Sequence, residues 1–238
     1  MSNNARKRSG LAIGLLVMSG LTLSQPVSAD ILKYLGPAFG GYVTTSGLTN
    51  TPTPPTPVTA SPSTGAVSML NLTAGGSFAA WCVDIYSWLN TTSTGASYTL
   101  TPGATFFGGS PSKVTDLERL ASLYLGSVNT VAESGAFQLA VWEIVYENSG
   151  SYGLGTGNFQ VASASGGAIT TANTWLSALG SGVPTMTLNV WASSSSQDLA
   201  VFTSAVPEPE IYAMLAAGLG FLRSGERRVG KECRSRWS

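Results

Sequence analysis

Two side chains in this sequence have the chemistry to form a covalent bond with each other. Cys82 is the single thiol of residues 30–205, since the other cysteine, Cys233, falls in a terminal stretch of different character. Gln138 lies in the run SGAFQLAVWE at residues 134–143. A thiol is a nucleophile and a carboxamide is an acyl donor, so the pair can in principle exchange ammonia for sulfur. Periodicity predicts a helix over 134–147 with Ser134 as its cap, and Glu143 and Glu147, one turn apart, as its solvent face. Gln138 then lies roughly 140° around the helix from Glu143, on a stripe shared with Val141, Trp142 and Val145. A buried amide costs about 1–3 kcal/mol unless its hydrogen bonds are met. Gln138 therefore needs a partner. For Cys82 three readings stay open: a nucleophile, a small buried hydrophobe, or half of an intermolecular pair, because a lone thiol is unusual in an oxidising compartment.

Other chemistry is thinner. The chain has no histidine, which removes the usual proton shuttle at neutral pH and the commonest metal ligand. Asp84, Glu143 and Glu147 are the carboxylates from which a glycoside-hydrolase pair would be drawn, but a solvated helix face is the ordinary account of the last two. There is no glycine-rich phosphate loop with lysine, no zinc spacing and no acidic calcium loop, so no metal, no cofactor and no enzymatic turnover are expected. Trp81, Trp88, Trp142, Trp175 and Trp191 suit a core, and the sequence singles out no sugar-binding platform among them. Residues 30–205 hold three basic residues (Lys33, Lys113, Arg119) against eight acidic ones, a balance of −5 that excludes a basic nucleic-acid footprint.

The elements that must position Cys82 and Gln138 read as one α+β domain of antiparallel strands with a few helices over residues 30–205. Strands are predicted at 31–46, 65–72, 97–101, 185–192 and 198–204. Residues 77–89 are a dense apolar run compatible with strand, helix or a strand turning into helix. Helices are predicted at 115–125, with a Thr115–Glu118 capping box, at 134–147 and at 171–179. Residues 51–63 are rich in Pro and Thr and read as an exposed loop, and 148–167 as a Gly/Ser loop.

The ends carry address labels. Arg6, Lys7 and Arg8, the apolar run 11–23 and the small residues Val27-Ser28-Ala29 form a signal peptide over 1–29, with cleavage between Ala29 and Asp30 by signal peptidase. That run is shorter than the ~20 residues that cross a bilayer. Pro207-Glu208-Pro209 precedes the apolar stretch 211–222, and its prolines hold the chain extended. This arrangement resembles the PEP-CTERM sorting signal, which implies recognition by an exosortase. The chain is then expected to be exported, anchored in the membrane through a truncated transmembrane helix at 206–222, and delivered to the cell surface or an exopolysaccharide matrix. Residues 223–238, RSGERRVGKECRSRWS, resemble a translated sequencing adapter and are read as a non-native tail.

The body has a resemblance of its own. Trp81-Cys82 and Gln138-Leu139-Ala140-Val141-Trp142 are similar to the two signatures of bacterial surface thioester domains, an aromatic-or-Leu–Cys pair followed by Thr-Gln-x-Ala-Ile-Trp. The resemblance implies an internal thioester between the Cys82 sulfur and the Gln138 acyl carbon, shielded by Trp81 and Trp142, that captures amines on a surface or matrix. Phe137 stands where that family has Thr, and Val141 where it has Ile. With no imidazole to activate the acyl group, transfer should favour amines over hydroxyls. The alternative is a noncovalent structural or matrix protein with an inert Cys82.

Overall fold

A computed structural model describes residues 29–50, 63–148 and 151–205. Its framework is six antiparallel strands: β1 (Asp30–Pro37), β3 (Val67–Asn71), β4 (Ser77–Cys82), β5 (Ala96–Pro102), β7 (Met186–Ala192) and β8 (Leu199–Ser204). They close into a barrel in the order β1-β3-β4-β8-β7-β5, with β5 pairing back onto β1. Two further strands, β2 (Thr45–Asn50) and β6 (Phe159–Ala164), form a separate antiparallel ribbon. Successive side chains on a strand face opposite ways. On β3, Val67, Met69 and Asn71 are buried while Ser68 and Leu70 are half-buried. On β7, Leu188 and Val190 are buried and Asn189 is half-buried.

The helices are α1 (Gly103–Phe106), α2 (Pro111–Tyr124), α3 (Val131–Tyr146) and α4 (Ala168–Ser177). The domain is thus a mixed α and β structure of antiparallel strands with a few helices. The predicted strands at 65–72, 97–101, 185–192 and 198–204 correspond to β3, β5, β7 and β8. Residues 77–89 resolve as a strand that ends at Cys82 and gives way to irregular chain.

Several expectations are corrected. The segment 31–46 is not one strand: β1 ends at Pro37 and β2 begins at Thr45, and the intervening turn brings the hydroxyls of Tyr34 and Tyr42 to 2.8 Å. Helix α2 starts at Pro111, not Thr115; a proline at the first helical position is preorganised for the turn, and the Thr115 hydroxyl instead donates to the Pro111 carbonyl at 3.0 Å. Helix α3 begins a turn before Ser134. Its capping box is Thr130 with Glu133, and Ser134 is buried, its Oγ accepting the Ala66 N–H at 2.8 Å. The predicted loop at 148–167 contains β6, which pairs with β2 in register Leu48↔Val161.

The largest correction concerns the surroundings of α3. All of its residues from Ser134 to Ile144 are buried, including Glu143 at 0% exposure, so the helix has no continuous wet face. It packs against α4 and α2 and touches β4 and β6. Close approach is bought sterically at Gly135, where a Cβ would lie 2.2 Å from Val43 Cγ2. Phe137, fully buried, packs on Trp81, Trp175 and Phe202, with ring centroids 4.8, 6.4 and 5.9 Å away.

The N-terminal segment up to residue 28, the Pro/Thr stretch 51–62, the Pro207-Glu208-Pro209 motif, the segment 206–222 and the tail 223–238 lie outside the described residues. Among the described residues no helix is long and apolar enough to cross a membrane. Ala29 is exposed, immediately before Asp30 opens β1 and accepts the Asn71 amide at 2.6 Å.

Candidate functional site

Cys82 is the last residue of β4, paired with Leu199 on β8, and the next residue, Val83, still donates to the Asp198 carbonyl at 2.9 Å. The strand end is therefore held in place as it meets α3. Gln138, on the second turn of α3, reaches across to it. The Cys82 backbone N–H donates to Gln138 Oε1 at 2.9 Å, and Gln138 Nε2 donates to the Cys82 carbonyl at 2.7 Å. Both residues are buried, at 7% and 0% exposure. The amide of Gln138 thus finds its partner in the backbone of the cysteine whose sulfur belongs to the same residue.

These two side chains lie at the wall of a cavity of about 270 Å³ that is also lined by Tyr34, Tyr42, Trp88 and Trp142. Trp142 follows Gln138 by one helical turn, so it covers the same side of α3, and its ring meets Phe159 at 6.3 Å. It is among the lining residues beside the amide. Trp81 is not. Alternation along β4 turns its ring to the other face of the strand, where it stacks with Phe137 and Phe202 away from the cavity. The expected shielding role of Trp81 is corrected to a packing role. The indole N–H groups of Trp81 and Trp142 have no hydrogen-bond partner among the described residues.

The electrostatics of the thiol are set by burial. Desolvation first, and the charge of Asp84 second, push Cys82 up to about 12, so at neutral pH it is a thiol. Tyr42 is also pushed well above the ordinary tyrosine range, by burial and by its bond to Tyr34. Among the described residues the lining contains no carboxylate, ammonium or guanidinium group. What the arrangement offers is geometric: a backbone N–H aimed at the amide oxygen, where negative charge would develop during attack on the acyl carbon.

The carboxylates are placed elsewhere. Glu143 accepts the Gly153 N–H at 2.7 Å, and its other oxygen has no hydrogen-bond partner among the described residues. Burial, opposed by that bond and reinforced by Glu147, raises it to about 7. Glu147 accepts the N–H groups of Asn148 at 2.8 Å and Asn158 at 2.6 Å. Asp84 caps its own turn, taking the Tyr86 N–H at 2.7 Å. None of the three lines the cavity, and no catalytic carboxylate pair is formed there. Among the described residues no three His, Cys, Asp or Glu side chains group to hold a metal ion.

Sequence reasoning missed Tyr34, Tyr42, Trp88 and Gln197 as neighbours of the site. They come from four separate segments, and no local spacing announces them.

No protein-family profile and no curated protein sequence matches the chain. A solved structure, the N-terminal thioester domain of a surface protein from Clostridium perfringens in a cysteine-to-alanine variant, aligns over 58% of this chain and 88% of its own, at 13% identity and a TM-score of 0.43. The account of the site stands on the geometry around Cys82.

Proposed function

We propose that this chain is an exported surface or matrix protein whose domain carries an internal thioester between Cys82 and Gln138. The observation that carries the reading is the reciprocal hydrogen bonding of the Gln138 amide with the Cys82 backbone. In the bond-forming step the Cys82 sulfur attacks the Gln138 acyl carbon. The Sγ–Cδ bond forms, the Cδ–Nε2 bond breaks, and the thiol proton leaves with nitrogen as ammonia. The product is a stored electrophile at the wall of a cavity. A surface or matrix amine then takes the acyl group and the sulfur returns to a thiol, so each molecule reacts once and does not turn over. Export through the signal peptide, membrane retention through 206–222 and processing at Pro207-Glu208-Pro209 by an exosortase complete the proposal; each rests on the sequence.

The test is addition of methylamine to the exported chain, followed by intact mass. The expected result is one methylamine per chain in the wild type and none in Cys82→Ala. Equal masses with and without the reagent in the wild type would remove the reading. The competing one, a noncovalent structural protein, draws on a specific feature: both hydrogen-bonding ends of Gln138 are already satisfied, and the buried Cys82 is held as a thiol.

A further inference from the structure

The thioester reading leaves the acceptor open beyond its being an amine. Three features of the cavity narrow it. Trp88 lines it while keeping 63% of its surface exposed, so its indole is open to solvent as well as to the cavity. The backbone that carries it is held: the Trp88 carbonyl accepts the Gln197 N–H at 3.2 Å, and two residues on, the Asn90 N–H donates to Ser196 Oγ at 2.9 Å, which is itself bonded to the Tyr98 hydroxyl at 2.7 Å. The polar groups of the lining are neutral hydrogen-bonding ones, the hydroxyls of Tyr34, Tyr42, Ser63 and Thr91 and the amide of Gln197. The volume of about 270 Å³ falls just below the roughly 300–1,000 Å³ of pockets that enclose drug-sized ligands, which is room for one sugar ring. A flat aromatic face beside uncharged donors and acceptors suits a pyranose, whose axial C–H face is apolar and whose rim is hydroxyls.

The lining also bears on protons. Only a neutral amine attacks an acyl carbon; the chain has no imidazole, and among the described residues the lining holds no carboxylate, to deprotonate an ammonium. A lysine-type amine, with an ordinary pKa of about 10.4, is neutral in roughly one molecule in 2,500 at pH 7. A 2-amino sugar is less basic because its ring oxygens withdraw electron density, so far more of it is ready to react.

Resting on the thioester reading, we infer that the cavity is a saccharide subsite, and that the acceptor is the free amine of a 2-amino sugar stacked on Trp88. The amine nitrogen forms the bond to the Gln138 acyl carbon, the Sγ–Cδ bond breaks, and the proton lost by nitrogen goes to the departing Cys82 sulfur. The product is a stable amide between Gln138 and the sugar, with a free thiol at Cys82.

The experiment incubates the exported chain at pH 7 with methylamine, a glucosamine tetramer or Nα-acetyl-lysine methyl ester at equal concentrations, and follows adduct formation by intact mass. The glucosamine adduct is expected at least ten-fold faster than the lysine adduct. Trp88→Ala should lower the ratio of glucosamine to methylamine rates about ten-fold, and Trp88→Tyr should restore most of it by keeping a ring in place. If methylamine adds but glucosamine is no faster than the lysine ester, the saccharide inference falls and the thioester stands. A glucosamine-to-methylamine ratio left unchanged by Trp88→Ala would overturn the subsite. If methylamine fails to add, the thioester falls and takes this inference with it.

Discussion

Gln138 and the pair Glu143 and Glu147 ride on the same helix, are equally withdrawn from solvent, and are satisfied by different things. The carboxylates are tied down by the N–H groups of residues 148, 153 and 158, which belong to the chain following α3. Gly157 fits so tightly there, at a φ of +87°, that a Cβ would lie 2.0 Å from Glu147 Oε2. Gln138 is held by a strand end and faces a cavity. One polar centre is closed by backbone and stitches a loop to the core. The other keeps space beside it, and space beside an electrophilic carbon is what a second reactant requires. Burial alone therefore does not separate the two centres; the space beside Gln138 does.

The contrast can be broken in order of expected effect. Gln138→Ala should abolish methylamine uptake and also lower stability by about 1–3 kcal/mol, because the buried N–H of Cys82 loses its acceptor. Chemical denaturation alongside the mass measurement reads both. Glu147→Ala should destabilise by about 1–3 kcal/mol as the half-buried Asn158 N–H loses its carboxylate acceptor, the Asn148 N–H being on an exposed residue. Limited proteolysis should then cut within 148–158, while uptake of methylamine by the remaining folded protein stays as in the wild type. A loss of uptake in that variant would mean that the two centres are coupled.

Glu143 sharpens the comparison through pH. Its carboxyl is raised from an ordinary 4.5 to about 7 in the fold, chiefly by burial. The native state therefore binds the extra proton between these values, and its stability is fully present below 4.5 and falls as pH rises through about 7. Glu143→Gln, which keeps an acceptor for the Gly153 N–H, should flatten that decline and leave the variant about 1–3 kcal/mol more stable than the wild type at pH 8. Denaturation midpoints at pH 5 and pH 8 check it; an undiminished decline would place the titration elsewhere. The smallest effect is expected at Ser134→Ala, about 1–2 kcal/mol for the buried Ala66 N–H left without its acceptor.

Much of the framework was legible because strand alternation and turn residues are local signals. β3, β5, β7 and β8 lie where apolar periodicity put them. The Cys82–Gln138 juxtaposition was legible for a different reason: a glutamine on an apolar stripe demands a partner, and the resemblance named one. What failed was the assumption that two glutamates a turn apart mark a solvent face. Glu143 and Glu147 are covered by chain that folds back over α3, and the sheltering N–H groups leave no trace in helical periodicity. Thr115 and Ser134 looked like caps because cap residues are also common inside helices, where their hydroxyls serve other acceptors and donors. The division of labour between Trp81 and Trp142 required knowing which side of β4 the cavity is on, and that is a tertiary fact.

The bond between Cys82 and Gln138 is tested most directly by the intact mass of the exported chain before any reagent is added, together with a thiol titration in denaturant. The account predicts a mass lower by one ammonia than the mature sequence and no titratable thiol at Cys82. A full-sequence mass with a titratable thiol at Cys82 would contradict it.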